Sequence, residues 1–117
     1  AEPLYRDNTS EFKRKPLSEL STAENAEELL QAVRLAPSAS NSQPWRFSGS
    51  NDKLIVNRKL PNLLKSVLYN HMNKIDMGIA LCHLRLSALH LGKTIQFLNE
   101  NNQPEKGYEY ITTAVII

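Results

Sequence analysis

The chain has 117 residues, 41% of them hydrophobic, and its 14 Lys+Arg against 12 Asp+Glu leave a formal charge of +2. That size holds one domain, and an apolar fraction near the globular average excludes a largely disordered chain. The charge falls far short of a nucleic-acid footprint, and the single Cys makes no internal disulfide. Ala1 to Asp7 lack the apolar run of a secretory signal, and the most apolar stretch is interrupted by Asp76, His83, Arg85 and His90. The expectation is one cytoplasmic domain over 1–117 that binds neither membrane nor nucleic acid.

Residues 1–22 read as an irregular polar segment. Asp7-Asn8-Thr9-Ser10 suits a turn, and Pro16 keeps the basic cluster Phe12-Lys13-Arg14-Lys15 extended by disfavouring helix at Lys15. Ser21-Thr22-Ala23-Glu24 fits a capping box, with the Ser hydroxyl on the N3 amide and Glu24 bonding back. Leu29, Leu30, Val33 and Ala36 then follow at helical spacing, so the helix runs on to Leu35 and Pro37 stops it. Trp45-Arg46-Phe47 and Leu54-Ile55-Val56 make a hairpin around the turn Ser48 to Lys53.

The signals over 57–73 are weaker. Leu63, Leu64, Val67 and Leu68 suit a helical turn or two, against Pro61 and Asn70-His71. Lys74 to Leu91 is the clearest helix, apolar nearly all round as a buried central helix would be, with Gly92 as its C-terminal cap. A strand Thr94–Leu98, a polar loop Asn99–Gly107 and a β-branched strand Tyr108–Ile117 complete the chain.

Two constellations bear on chemistry. The loop Ala36 to Gln43 carries small hydroxyl and amide side chains and no charge. Such groups let a ligand approach the backbone and supply directed hydrogen bonds, which suits a planar, polar-edged ligand. The same composition also fits an ordinary Ser-rich connector. On the long helix, Asp76, His83, Ser87 and His90 share one narrow stripe. His83 and His90 stand two turns apart, about 10 Å, too far to share one ion, so the stripe reads as polar rather than metal-binding. Cys82 reads as a small buried residue, and His71 as surface.

The segment Ala36-Pro37-Ser38-Ala39-Ser40-Asn41-Ser42-Gln43-Pro44-Trp45-Arg46-Phe47 resembles the signature loop of the flavin-dependent nitroreductase family. Ile75-Asp76-Met77-Gly78-Ile79-Ala80-Leu81-Cys82-His83-Leu84 is similar to the Asp-x-Gly-x-Ala segment that opens that family's central helix, and Arg14-Lys15-Pro16-Leu17-Ser18-Glu19-Leu20 to one of its basic segments. Together they most resemble the C-terminal half of the single-chain, two-lobed branch. The resemblance implies an α+β fold of nitroreductase type, three-layered, with a small mixed or antiparallel sheet and a buried central helix.

It also implies an FMN cofactor that takes hydride from NAD(P)H and passes it to a nitroaromatic, quinone or similar acceptor, the flavin N5 rather than a side chain carrying the chemistry. Pro37, Ser38, Ala39 and Asn41 correspond to flavin-contacting positions, and Arg14 to an Arg that pairs with the FMN phosphate. Gln43 belongs to the same cofactor set and, with Trp45, holds the loop; no metal is implied. The family's Arg-Arg-Ser-x-Arg motif is absent, and Tyr5-Arg6-Asp7-Asn8 does not replace it. So is its Gly-rich segment, with only four Gly in the chain. The expectation is therefore one side of a flavin site in a half-domain that forms a homodimer or pairs with a missing N-terminal half. The abrupt apolar end at Ile116-Ile117 fits a truncated chain. The alternatives are a non-catalytic flavin- or ligand-binding domain and a purely structural dimerisation half.

Overall fold

The computed structural model describes residues 7–117, with Lys65, Val67 and Leu68 as backbone alone. Tyr5 and Arg6, part of the segment compared with the family's Arg-rich motif, lie outside the described residues. Three helices, α1 (Leu17–Leu20), α2 (Glu27–Arg34) and α3 (Leu63–His90), accompany the strands β1 (Trp45–Gly49), β2 (Lys53–Lys59), β3 (Ile95–Leu98) and β4 (Tyr108–Ile116). The strands form one antiparallel sheet in the order β1-β2-β4-β3.

The hairpin forms where the alternation places it, with Trp45 opposite Arg58 and Phe47 opposite Val56. Period-2 alternation turns Trp45, Phe47, Leu54 and Val56 to one face, where they are buried with Leu29, Leu30 and Val33 of α2 and Met77, Ala80, Leu84 and Ala88 of α3. The final strand joins this core through Ala114 and Ile116. Arg58 is also buried on that face, donating to Asn70 Oδ1 at 2.7 Å and pairing with Glu109 Oε1 at 3.3 Å. It therefore pins the early part of α3 to the sheet.

The capping box does not form. Thr22 and Glu24 instead donate their backbone N–H to the carbonyls of Phe47 and Gly49, both at 2.9 Å, so Ser21 to Glu24 lies along the edge of β1. Ser21 Oγ accepts from Ala23 N, and α2 begins later, at Glu27, with no side-chain cap on Ala26. The reason is an open strand edge: pairing satisfies those amides and covers β1 at once. The N-terminal segment also holds a helical turn, α1, whose Leu20 is buried in the core.

The second correction concerns α3. It begins at Leu63 and runs through Asn70-His71 without a break, 28 residues or about 42 Å of helix. Arg58 and the core hold its first half, a tertiary contribution that local propensity does not contain. Only one side of it is covered. Leu64, Ile75, Leu86 and Leu89 are exposed along the other, and Cys82 lies on that open side rather than inside. No described helix is long and apolar enough to cross a membrane.

Candidate functional site

The connection from α2 to β1 is short and heavily constrained. Ala39–Asn41 makes a 3-10 turn, and Ser40, Asn41 and Gln43 all sit at positive φ, at 51°, 53° and 48°. Asn accepts that region readily; Ser and Gln do so at a cost of roughly 1 kcal/mol each. Such a backbone persists only where its surroundings hold it, and the holding contacts can be named.

Asp76 of α3 accepts the Ala39 N–H on both carboxylate oxygens at 3.1 Å. Asn73, one turn earlier, accepts from Ser42 Oγ at 3.1 Å, and Tyr69 OH meets Ser40 Oγ at the same distance. Within the loop Ser38 Oγ accepts the Gln43 N–H at 2.9 Å. Gln43 is buried, giving Nε2 to the Asn41 carbonyl and taking the Lys15 N–H on Oε1 at 2.8 Å. One face of α3 thus anchors the loop from below, and Gln43 ties it to the basic segment.

That arrangement locates each residue expected at a site. Lys13 to Lys15 lie against the loop: Asn41 Nδ2 donates to the Lys13 carbonyl at 2.8 Å, and Arg14 Nη2 reaches the Leu35 carbonyl at 3.3 Å, just before the loop starts. The Arg14 guanidinium also stands over the Phe12 ring, 5.4 Å from its centroid. Pro37 and Asn41 are exposed, Ser38 and Ala39 half-buried. Asn41 is exposed and its Oδ1 takes no hydrogen bond from the described residues, whereas Ser38 Oγ and both ends of Gln43 are used inside the chain. The surface offered to a ligand is neutral, with a guanidinium at one end.

The stripe on α3 resolves into positioning contacts. Asp76 holds the loop, His83 Nδ1 meets the Ala32 carbonyl at 3.1 Å and Ser87 Oγ donates to the Leu29 carbonyl at 2.7 Å, while His90 is exposed. The stripe therefore mates α3 with α2. Among residues not singled out by sequence, Asn73 and Tyr69 brace the loop, and Arg46 Nη1 closes its far end on the Gln43 and Trp45 carbonyls at 3.1 and 2.6 Å. The alternation that buries Trp45 and Phe47 was the available signal for Arg46, since it turns that side chain to the other face.

Burial pushes the Asp76 carboxyl above its usual range, partly offset by the hydrogen bond from Ala39 N–H. A raised pKa means that the folded state holds the proton more tightly, so this stabilisation is present at low pH and lost as pH rises through the raised value. Asp76→Asn removes the titration but keeps an oxygen for Ala39. The wild type is expected to gain thermal stability relative to this variant as pH falls from neutral to about 4, read as the difference in Tm. Glu100, held below its usual value chiefly by its hydrogen bond to Lys53, is common to both proteins and cancels. A wild type that instead loses ground on acidification would contradict the burial account.

Residues 1–88 match the model of the protein family described as "Putative TM nitroreductase". The chain belongs to that family. Two solved structures place it further. A protein of Thermotoga maritima MSB8, described as a putative nitroreductase, is 25% identical with a TM-score of 0.57, covering 98% of this chain and 45% of that one. An oxidoreductase containing FMN is 21% identical with a TM-score of 0.56, covering 81% of this chain and 67% of that one, and shares the fold. The chain thus spans somewhat less than half the length of the Thermotoga protein. No curated protein matches it. Helices on a four-stranded antiparallel sheet make this an α+β fold, shared with both of these structures.

Proposed function

We propose that this chain supplies one side of an FMN site in a nitroreductase-like oxidoreductase. The observation that carries the reading is the braced loop: a strained backbone over Ser40 to Gln43, held by Asp76, Asn73 and Tyr69, presents Ala39 and Asn41 beside the basic segment. The donor set fits the cofactor. Small neutral groups suit the edge of a planar heterocycle, and the charge of Arg14 at the loop's entrance, its Nη1 and Nη2 fixed on the Lys13 and Leu35 carbonyls, suits a phosphate. When bound, the flavin supplies hydride and electron transfer between NAD(P)H and an acceptor such as a nitroaromatic or quinone. The protein's own part is to hold and orient: Pro37, Ser38, Ala39 and Asn41 line the ring, Gln43 positions the loop from beneath, and Arg14 takes the phosphate.

The other side of the site belongs to a second lobe or a second copy of the chain. The exposed stripe of Leu64, Ile75, Leu86 and Leu89 supports this, because apolar surface of that extent on a small domain favours a cover. A test of the site is direct titration with FMN, followed by flavin fluorescence and visible absorbance. Saturable uptake is expected for the wild type. Asn41→Gly keeps the positive φ while removing the amide, and is expected to weaken uptake by about tenfold, the worth of one good hydrogen bond to a ligand. Ser50→Ala in the hairpin turn is expected to change nothing. Equal effects of the two variants would remove the loop from the flavin site, and no uptake at all would overturn the expectation that this chain binds FMN without a second lobe.

A further inference from the structure

The sheet has a second surface that the flavin reading leaves unused. On the face turned away from α2 and α3, a cleft of about 460 Å³ is floored by Arg46, Ser48, Ile55 and Asn57. Glu19 of α1 stands on one wall, and Pro104, Glu105 and Tyr108 on the other, so the two carboxylates flank the Arg46 guanidinium. None of Pro37 to Gln43, nor Arg14, lines it. Its volume is that of a small-molecule site.

The guanidinium in its floor is set in a particular way. Arg46 Nη1 donates to two backbone carbonyls, those of Gln43 and Trp45, which fixes the group from one side. Its Nε and Nη2 have no acceptor among the described residues. A guanidinium held by one nitrogen, with the other two presented, is a preformed receptor for a two-oxygen anion, because its ordering entropy is already spent.

Three further features bear on the ligand. Lys15, outside the lining, is close enough to Arg46 that burial first, and then repulsion from Arg46 and Lys59, holds its ammonium below the usual pKa, with Glu19 opposing. Ile55, Pro104 and the Tyr108 ring give the cleft an apolar lining of aromatic size. Asn57 Oδ1, at the floor, is buried and has no donor from the protein.

We propose that this cleft binds a small organic oxyanion, a carboxylate or a phosphomonoester on a ring-sized apolar body, with the oxyanion on Arg46 and the ring against Ile55 and Tyr108. The site is separate from the flavin loop and stands or falls independently of it.

The test is a titration of the full chain, followed by backbone amide NMR shifts, with two oxyanion probes and their neutral counterparts. AMP is set against adenosine, and 4-aminobenzoate against aniline. Saturable shifts centred on Ile55, Asn57 and Tyr108 are expected for at least one oxyanion probe, and which one binds separates phosphate from carboxylate. Its neutral counterpart is expected to bind at least about tenfold more weakly, as is the same probe to Arg46→Gln. Because Arg46 also closes the loop, Ser48→Phe is the decisive variant. It fills the floor, leaves the Arg46 bonds alone, and is expected to abolish probe binding while FMN uptake persists. No binding of either oxyanion, equal binding of the neutral compounds, or probe binding that survives Ser48→Phe would each overturn the assignment.

Discussion

Trp45→Ala is expected to destabilise the domain by about 3–5 kcal/mol, a large share of what a domain of this size has. Trp45 is fully buried on the sheet's helix-facing side, at the start of the edge strand β1 and one residue after Pro44 ends the loop, in the core that α2, β2, α3 and β4 also build. Deleting the indole removes its burial and leaves a void that close-packed neighbours fill only in part.

A companion variant separates packing from polarity. Trp45 Nε1 is buried and makes no hydrogen bond among the described residues, so phenylalanine sacrifices no partner. Trp45→Phe is therefore expected to cost less than about 1.5 kcal/mol, as a conservative hydrophobic exchange does. Chemical denaturation of the three proteins, with a common m-value, reads both numbers. An Ala variant within about 0.5 kcal/mol of wild type would show that the indole is not a core residue.

Gly49→Val should cost about 2–4 kcal/mol by a different mechanism. Gly49 ends β1 at φ +94, a conformation that a β-branched side chain strongly resists. A Cβ placed there would also fall on the Lys53 carbonyl oxygen, which is backbone and accepts the Ser50 N–H. The damage would spread beyond the turn, since the Gly49 carbonyl also accepts the Glu24 N–H that fastens the N-terminal segment to β1. The contrast is Ser50→Ala next door, whose hydroxyl makes only a long 3.4 Å contact with Asp52 N and whose loss should stay within about 0.5 kcal/mol. Comparable melting temperatures for the two variants would mean that the turn relaxes without strain.

Both predictions touch the same architectural fact. The loop of the proposed flavin site has no regular hydrogen-bonded frame of its own. It is held at its far end by β1 and Arg46, beneath by Asp76 and Asn73 on α3, and laterally by the basic segment through Lys13 and Lys15. A loop so placed is pre-organised at the expense of backbone strain, which is the usual bargain at a binding site. Its stability therefore depends on residues up to 37 positions away, and lesions in the core or in the hairpin are expected to reach it.

By itself the sequence determined the features that rest on short-range periodicity and steric rules. The period of 2 in Trp45 to Phe47 and Leu54 to Val56 gives the hairpin and its inward face, and the β-branched end gives β4. Pro37 ends α2, Gly92 at φ +76 ends α3, and the Pro37–Pro44 segment is a loop between helix and strand. The family resemblance, too, was readable, since it resides in contiguous motifs. Tertiary structure alone decided where Ser21 to Glu24 would go, because a capping box and a strand edge compete for the same amides and only the folded sheet brings Phe47 and Gly49 within reach. It carried α3 back to Leu63 through contacts such as Arg58 with Asn70, and it covered one side of that helix while leaving Cys82 and Leu86 on the other. The bracing of the loop belongs to the same class. Ser40, Asn41 and Gln43 reveal their left-handed backbone only once Asp76 and Lys15 stand beside them, because strain is tolerated where distant partners outweigh it and no local pattern records those partners.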